Sequence, residues 1–237
     1  MCNAYNLRHR NEAILDIARA MQLLFADLPE FPPRHRIDIR GRGLILRPAG
    51  DGPLIWSWAQ WSLIPPGTKE PPANPLNNAR SDKLMGWPWK VVSRQRCLIP
   101  VCGFWEPEKP ARAPGNAPWS YHSLKDGQPF FVAGLWSDAP DPSTGEIADS
   151  YTMVIGEANA AMQVHDRMPA ILGTEAARRW LEPGPLPAEL LVPYPAAEMQ
   201  AWRAGDEVKS SRIEPHPGMA EPLDALLGLA MALSPAR

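Results

Sequence analysis

Apolar positions recur along the chain with changing period, and the period marks out the elements. In NEAILDIARAMQLLF (residues 11–25), Ile14, Leu15, Ile17, Ala18, Met21, Leu24 and Phe25 form one helical stripe. Asn11 is placed as its N-cap, with Asp16 early in the helix. LPEFPPRHR is a Pro-rich connector. GLILRP (43–48) and LIWSWAQWSLI (54–64) read as strands around the turn signal PAGDGP. PPGTKEPPANPLNNARSDK (65–83) has no period and reads as a long loop with a basic end. WPWKVVS is a short helix or an extended segment, and RCLIPVCGFW (96–105) is one buried strand reaching Glu106. WSYHSL (119–124) and FFVAGLWSD (130–138), joined by KDGQP, predict a hairpin. SYTMVI (150–155) is a further strand. TEAARRWL (174–181) is a short amphipathic helix capped by Thr174, and the tail beyond it carries few signals.

Strands with isolated helices between them, and no internal repeat, predict an α+β fold. The expected core is a mixed, curved sheet or barrel with a few peripheral helices. At 237 residues the chain suits one domain, expected to span 1–237. Its 29 prolines favour many turns and short strands.

Composition narrows the class of function. No apolar run reaches the roughly 18 residues a membrane helix needs. The charged N-terminus MCNAYNLRHRNEAILDIA does not read as a secretory signal. With three cysteines, Cys2, Cys97 and Cys102, there is no disulfide framework, and the expected compartment is a reducing cytoplasm. The net charge of −2 hides an asymmetry: residues 1–100 hold 14 Lys+Arg against 8 Asp+Glu, and the remainder 10 against 18. A basic half could form one face for a polyanion, or simply supply partners for the acidic half.

Four segments carry candidate chemistry. Met1 is normally excised before a small residue, which would leave Cys2 with an α-amine and a thiol on adjacent carbons. Their ordinary pKa values, about 8 and about 8.5, leave both partly reactive at neutral pH. Such a pair condenses with an aldehyde to an imine and then closes a five-membered thiazolidine, which an internal cysteine cannot do. In NNAR, Asn78 could orient a substrate and Arg80 suits phosphate. Glu106 ends the apolar run VCGFW, a setting that raises a carboxyl pKa towards neutrality. In HDRMP, His165 beside Asp166 and Arg167 could serve as acid, base or charge stabiliser. Each has a plain alternative, respectively an incidental cysteine, an Asx-turn, a strand-end carboxylate and a structural histidine. Neither zinc-ligand spacing nor a Gly-rich phosphate loop occurs.

Taken in order, MC at the start, NAR, G-aromatic-aromatic-E, and EAN followed by H-x-RMP resemble the SRAP (SOS response-associated peptidase) family, from Met1 to about Leu181. The resemblance implies a nucleophile at Cys2 that links to the open-chain aldehyde of an abasic site. It implies that Asn78 positions the N-terminus and sugar, that Glu106 shuttles protons, and that His165 lies near the sugar hydroxyl and Schiff base. It implies phosphate contacts at Arg80 and Arg167. It also implies single-stranded DNA with abasic sites as partner, no cofactor or metal, and a monomer away from membranes. Two positions depart from the family pattern: Ala4 stands where many members have arginine, and PPGTKEPP after WSLIP lacks aromatic residues for stacking on DNA. Two other readings stand beside it: a peptidase or autoprotease with Cys2 as nucleophile, and a non-catalytic binder of single-stranded DNA or of a repair partner that uses only the basic face.

Overall fold

In the computed structural model the described residues are 2–9, 11–70, 72–108 and 117–223. Met1 and the tail beyond residue 223 lie outside them, so the expected domain span exceeds what is described. The elements run β1 (Ala4–Leu7), α1 (Asn11–Arg19), β2 (Arg34–Asp38), β3 (Arg42–Arg47), β4 (Ile55–Trp61), β5 (Asn78–Arg80), β6 (Arg96–Val101), β7 (Gly103–Pro107) and β8 (Trp119–Leu124). They continue as β9 (Phe130–Ser137), β10 (Ser150–Glu157), β11 (Arg167–Pro169), β12 (Ile171–Leu172), α2 (Thr174–Trp180) and β13 (Met199–Arg203), with short 3-10 turns between. The fold is α+β.

The strands form two sheets. One has the order β13-β8-β7-β1-β2 and is antiparallel throughout. In the other, β10-β4-β3-β6-β9 returns to β10 through a β9–β10 pairing, so the ladder closes into a barrel. β5 and β11 extend β10, and β12 extends β9. Closure leaves the five barrel strands without a free edge, and explains why β9, FFVAGLWS, is buried at every position. Leu44, Ile45, Trp61, Leu98, Val132, Tyr151 and Trp180 belong to the main core. A second cluster of Ala4, Trp105, Tyr121, Val208 and Met219 fills the other face of the first sheet.

Several expectations are corrected. The helix expected over 11–25 ends at Arg19. Gln22 takes φ 56°, in the left-handed region that stops a helix, and Leu24 is 82% exposed. Asn11 is the first helical residue, and its amide donates to the Pro29 carbonyl at 3.1 Å. Thr174 likewise opens α2 from inside, with Gly173 at the cap position and no capping side chain. The single strand expected over 96–105 is two. The Cys102 N–H turns to the Asn6 carbonyl (3.0 Å), carrying the chain from the barrel into the other sheet. Gly103 permits this, because a Cβ there would lie 2.1 Å from the Tyr121 hydroxyl. The expected hairpin does not form: β8 pairs with β7 and β13, and β9 with β6, β10 and β12. The Asp-Gly turn is present, with Gly127 at φ 70°. Pro129 then offers no N–H to a ladder, and the strands part. The long loop holds β5 and a 3-10 turn at Ser81–Lys83. WPWKVVS contains a 3-10 turn at Trp89–Val92.

Candidate active site

Backbone pairing brings the N-terminus to Glu106. β1 lies between β2 and β7 with Ala4 opposite Trp105, and the Asn3 N–H donates to the Trp105 carbonyl at 3.4 Å. Cys2 therefore sits beside the strand that carries Glu106, and both side chains are buried, at 2% and 0% exposure. Asn78 reaches the same point from the barrel. β5 runs parallel to β10, and the Trp61 indole N–H and the Met153 N–H both donate to the Asn77 carbonyl (2.8 and 2.9 Å). With the loop so fixed, the Asn78 amide donates to the Cys2 carbonyl at 2.9 Å.

His165 closes the group. Its Nε2 lies 4.0 Å from Glu106 Oε1, and its side chain is 5% exposed. Nδ1 accepts the Arg167 N–H at 3.0 Å and also lies 2.7 Å from an Asp166 carboxylate oxygen. The first contact needs Nδ1 unprotonated. When Nδ1 accepts, the neutral ring carries its proton on Nε2, the nitrogen nearer Glu106.

Burial pushes the Cys2 thiol well above its ordinary pKa, and the negative charge of Glu106 pushes it further. Sγ donates weakly to the Ala4 carbonyl at 3.5 Å. The other two thiols are also held neutral by burial, Cys102 at about 11 and Cys97 higher still. All three cysteines are free.

The two arginines stand at one end of β10, Arg80 opposite Ile155 and Arg167 opposite Glu157. Arg80 makes a two-point contact with Asp82 (3.0 and 2.7 Å) and is partly exposed. Arg167 lies 4.0 Å from Asp166. An exposed pair of this kind is screened by solvent, so an anion can displace Asp82 from Arg80 at little cost. Ala4 is 1% exposed and packs in the second core cluster, so position 4 offers nothing to a ligand. Residues 65–68 make a tight turn, with the Thr68 hydroxyl donating to the Pro65 carbonyl at 2.6 Å.

All six singled-out residues thus fall in one region: Cys2 and Glu106 buried, Asn78 and His165 partly buried beside them, and the two arginines at the adjoining strand end. Sequence reasoning missed Asp82, which occupies Arg80, although its spacing two residues on was a readable signal. It also missed the buried His122, which no local pattern in WSYHSL marks. Among the described residues, no group of three or more His, Cys, Asp and Glu is placed to hold a metal ion. No helix among them is long and apolar enough to cross a membrane.

A closed barrel is flanked by a second sheet, with the buried Cys2 and Glu106 and the partly buried Asn78 and His165 brought together. The chain belongs to the SOS response associated peptidase (SRAP) family, which it matches over residues 1–211, beyond the Leu181 reached by the motifs. Abasic site processing protein YoqW of Bacillus subtilis (strain 168) is 31% identical over 161 residues, 65% of this chain and 70% of that protein. Abasic site processing protein HMCES of Xenopus tropicalis is 30% identical over 158 residues, 55% of this chain and 46% of that protein. A crystal structure of a protein from Bacteroides thetaiotaomicron shares the fold with a TM-score of 0.71 at 22% identity, over 93% of this chain and 99% of that one.

Proposed function

We propose that this protein captures abasic sites in single-stranded DNA as a thiazolidine on Cys2, after removal of Met1, and so shields the damaged sugar. The observation that carries the reading is convergence. Residues 2, 78, 106 and 165 come from both sheets and the connections between them, yet Asn78 holds Cys2, Glu106 acts on its thiol, and His165 approaches Glu106. The relatives' names supply the substrate class.

The steps use these groups in turn. The Cys2 amine adds to C1′ of the open-chain aldehyde, giving a carbinolamine. Glu106, in its acid form after taking a proton from the Cys2 ammonium, protonates the departing hydroxyl; water leaves, and the nitrogen's proton returns to Glu106 as the imine forms. The thiol then adds across C=N: sulfur bonds to C1′ and its proton passes to nitrogen, closing a ring of N, Cα, Cβ, Sγ and C1′. A thiol that keeps its proton suits this last step, because the proton is needed on nitrogen. The same property disfavours the peptidase reading, which needs a thiolate as first nucleophile. Asn78 fixes the amine's direction through the Cys2 carbonyl. His165 stabilises charge beside Glu106, and Arg80 and Arg167 neutralise flanking phosphates. An unpaired strand presents its sugar without the cost of unstacking a duplex.

The test is incubation with a single-stranded oligonucleotide carrying one abasic site, followed by denaturing electrophoresis. A heat-stable adduct on the N-terminal peptide is expected. Cys97→Ala and Cys102→Ala should form it normally, since neither thiol adjoins a free amine. Cys2→Ala should give at most a borohydride-trappable imine. A full yield of heat-stable adduct from Cys2→Ala, or adduct formation by protein with Met1 intact, refutes the reading.

A further inference from the structure

A cleft of about 540 Å³ opens beside the reaction centre, lined among others by Glu108, Ser120, His122, Gln163, Met199 and Arg203. Its floor is the face of β7 and β8 that carries Glu106. Glu106 stands opposite Ser120 and Phe104 opposite His122, so all four side chains share one face. His122 lies two residues along β8 from Ser120, a displacement of about 6–7 Å. Gln163 precedes His165 by two residues, so one loop borders both the cleft and the centre.

His122 is unusual within this wall. It is 1% exposed and stacked on Phe104 (5.1 Å between rings, 13° between planes), yet neither ring nitrogen has a hydrogen-bond partner. A buried polar group left unpaired is costly and asks for a ligand or water. One water occupies about 30 Å³ of liquid, whereas the cleft is within the range of small-molecule sites. Its two ionised lining residues, Glu108 and Arg203, have opposite sign, and Glu108 accepts from the Ser120 hydroxyl at 3.1 Å. The lining therefore favours an uncharged ligand over a phosphate. Desolvation holds His122 at a pKa of about 4, so at neutral pH the ring offers one N–H and one lone pair. A planar heterocycle with donors and acceptors on its edge matches that offer.

We propose that this cleft receives the base of a nucleotide next to the captured sugar, and that His122 reads its edge. The proposal rests on the abasic-site reading above and adds a sequence preference to it. His122 is a specificity residue here and takes no part in the covalent steps.

The experiment measures single-turnover crosslinking with oligonucleotides that carry each of the four bases on the 5′ or the 3′ side of one abasic site. The native protein should spread these rates by about 2- to 10-fold, the worth of one net hydrogen bond. His122→Leu, close in size and without nitrogens, should collapse the spread whatever its overall rate. It should melt no lower than the native protein, because an unpaired buried polar group is gone. A native protein indifferent to its neighbours overturns the proposal, as does a spread that survives in His122→Leu. An unchanged spread with a lower melting temperature assigns the ring to packing. Absence of any adduct refutes the capture reading itself and removes the cleft's assignment with it.

Discussion

Replacing Glu106 by Gln keeps the shape of a fully buried side chain and removes its ability to exchange a proton. Two consequences oppose each other. Dehydration of the carbinolamine loses its acid, and a positioned acid or base is worth about a hundred- to ten-thousandfold in rate, or roughly 3–5 kcal/mol of barrier. Against this, the Cys2 thiol loses a negative neighbour and its pKa falls. Burial, the larger cause of that shift, remains, so the thiol stays predominantly neutral. The first effect wins, and crosslinking should slow by about a hundredfold or more. Reversal should slow in step, since both directions share a transition state. DNA affinity should hold, because Arg80 and Arg167, to which we assign the phosphate contacts, lie at the end of β10. The assay is single-turnover crosslinking across pH 5 to 8, with affinity measured on DNA lacking the abasic site. Equal rates for native protein and Glu106→Gln at every pH would refute the shuttle and pass the acid role to His165, whose Nε2 is 4.0 Å away.

Asn78→Ala removes the donor to the Cys2 carbonyl, and one net hydrogen bond of about 0.5–1.5 kcal/mol predicts crosslinking slowed by up to about tenfold. Unchanged single-turnover rates would show that strand pairing alone aims the N-terminus. Arg80→Ala and Arg167→Ala should each weaken DNA binding uniformly across sequences and flatten the salt dependence by at most about 0.7 of a unit; titration at several salt concentrations checks this, and unchanged slopes place the DNA path elsewhere. His122, lowered to about 4 from an ordinary 6.5, binds a proton more readily unfolded than folded. Its contribution to stability is therefore lost as pH falls from about 6.5 to about 4, by up to roughly 3 kcal/mol. Urea midpoints at pH 4.5 and 7 should differ less for His122→Leu than for the native protein, and equal differences would show that the ring is not the source.

The sequence by itself placed the barrel strands β3, β4, β6 and β10 and the helix α2, because an apolar run or stripe reports burial directly. It also singled out the candidate residues. Cys2, Asn78, Glu106 and His165 each stand in a short segment whose composition, taken in order with the others, distinguished this chain. Which strand meets which was not legible. β8 and β9 carry hairpin composition and a hairpin turn, yet go to different sheets, because partner choice depends on where β6, β7, β10 and β13 already lie. RCLIPVCGFW reads as one apolar run although Cys102 turns it, since a buried segment looks alike on either side of a bend. β13 showed no sign, for its Met199 is buried and its Trp202 partly buried by β8 and the turns after it rather than by any periodicity of their own. The meeting of Cys2 with Asn78, the occupation of Arg80 by Asp82 and the unpaired nitrogens of His122 are likewise tertiary facts. A side chain's type is local, but its partners and its water are decided by the segments that fold against it.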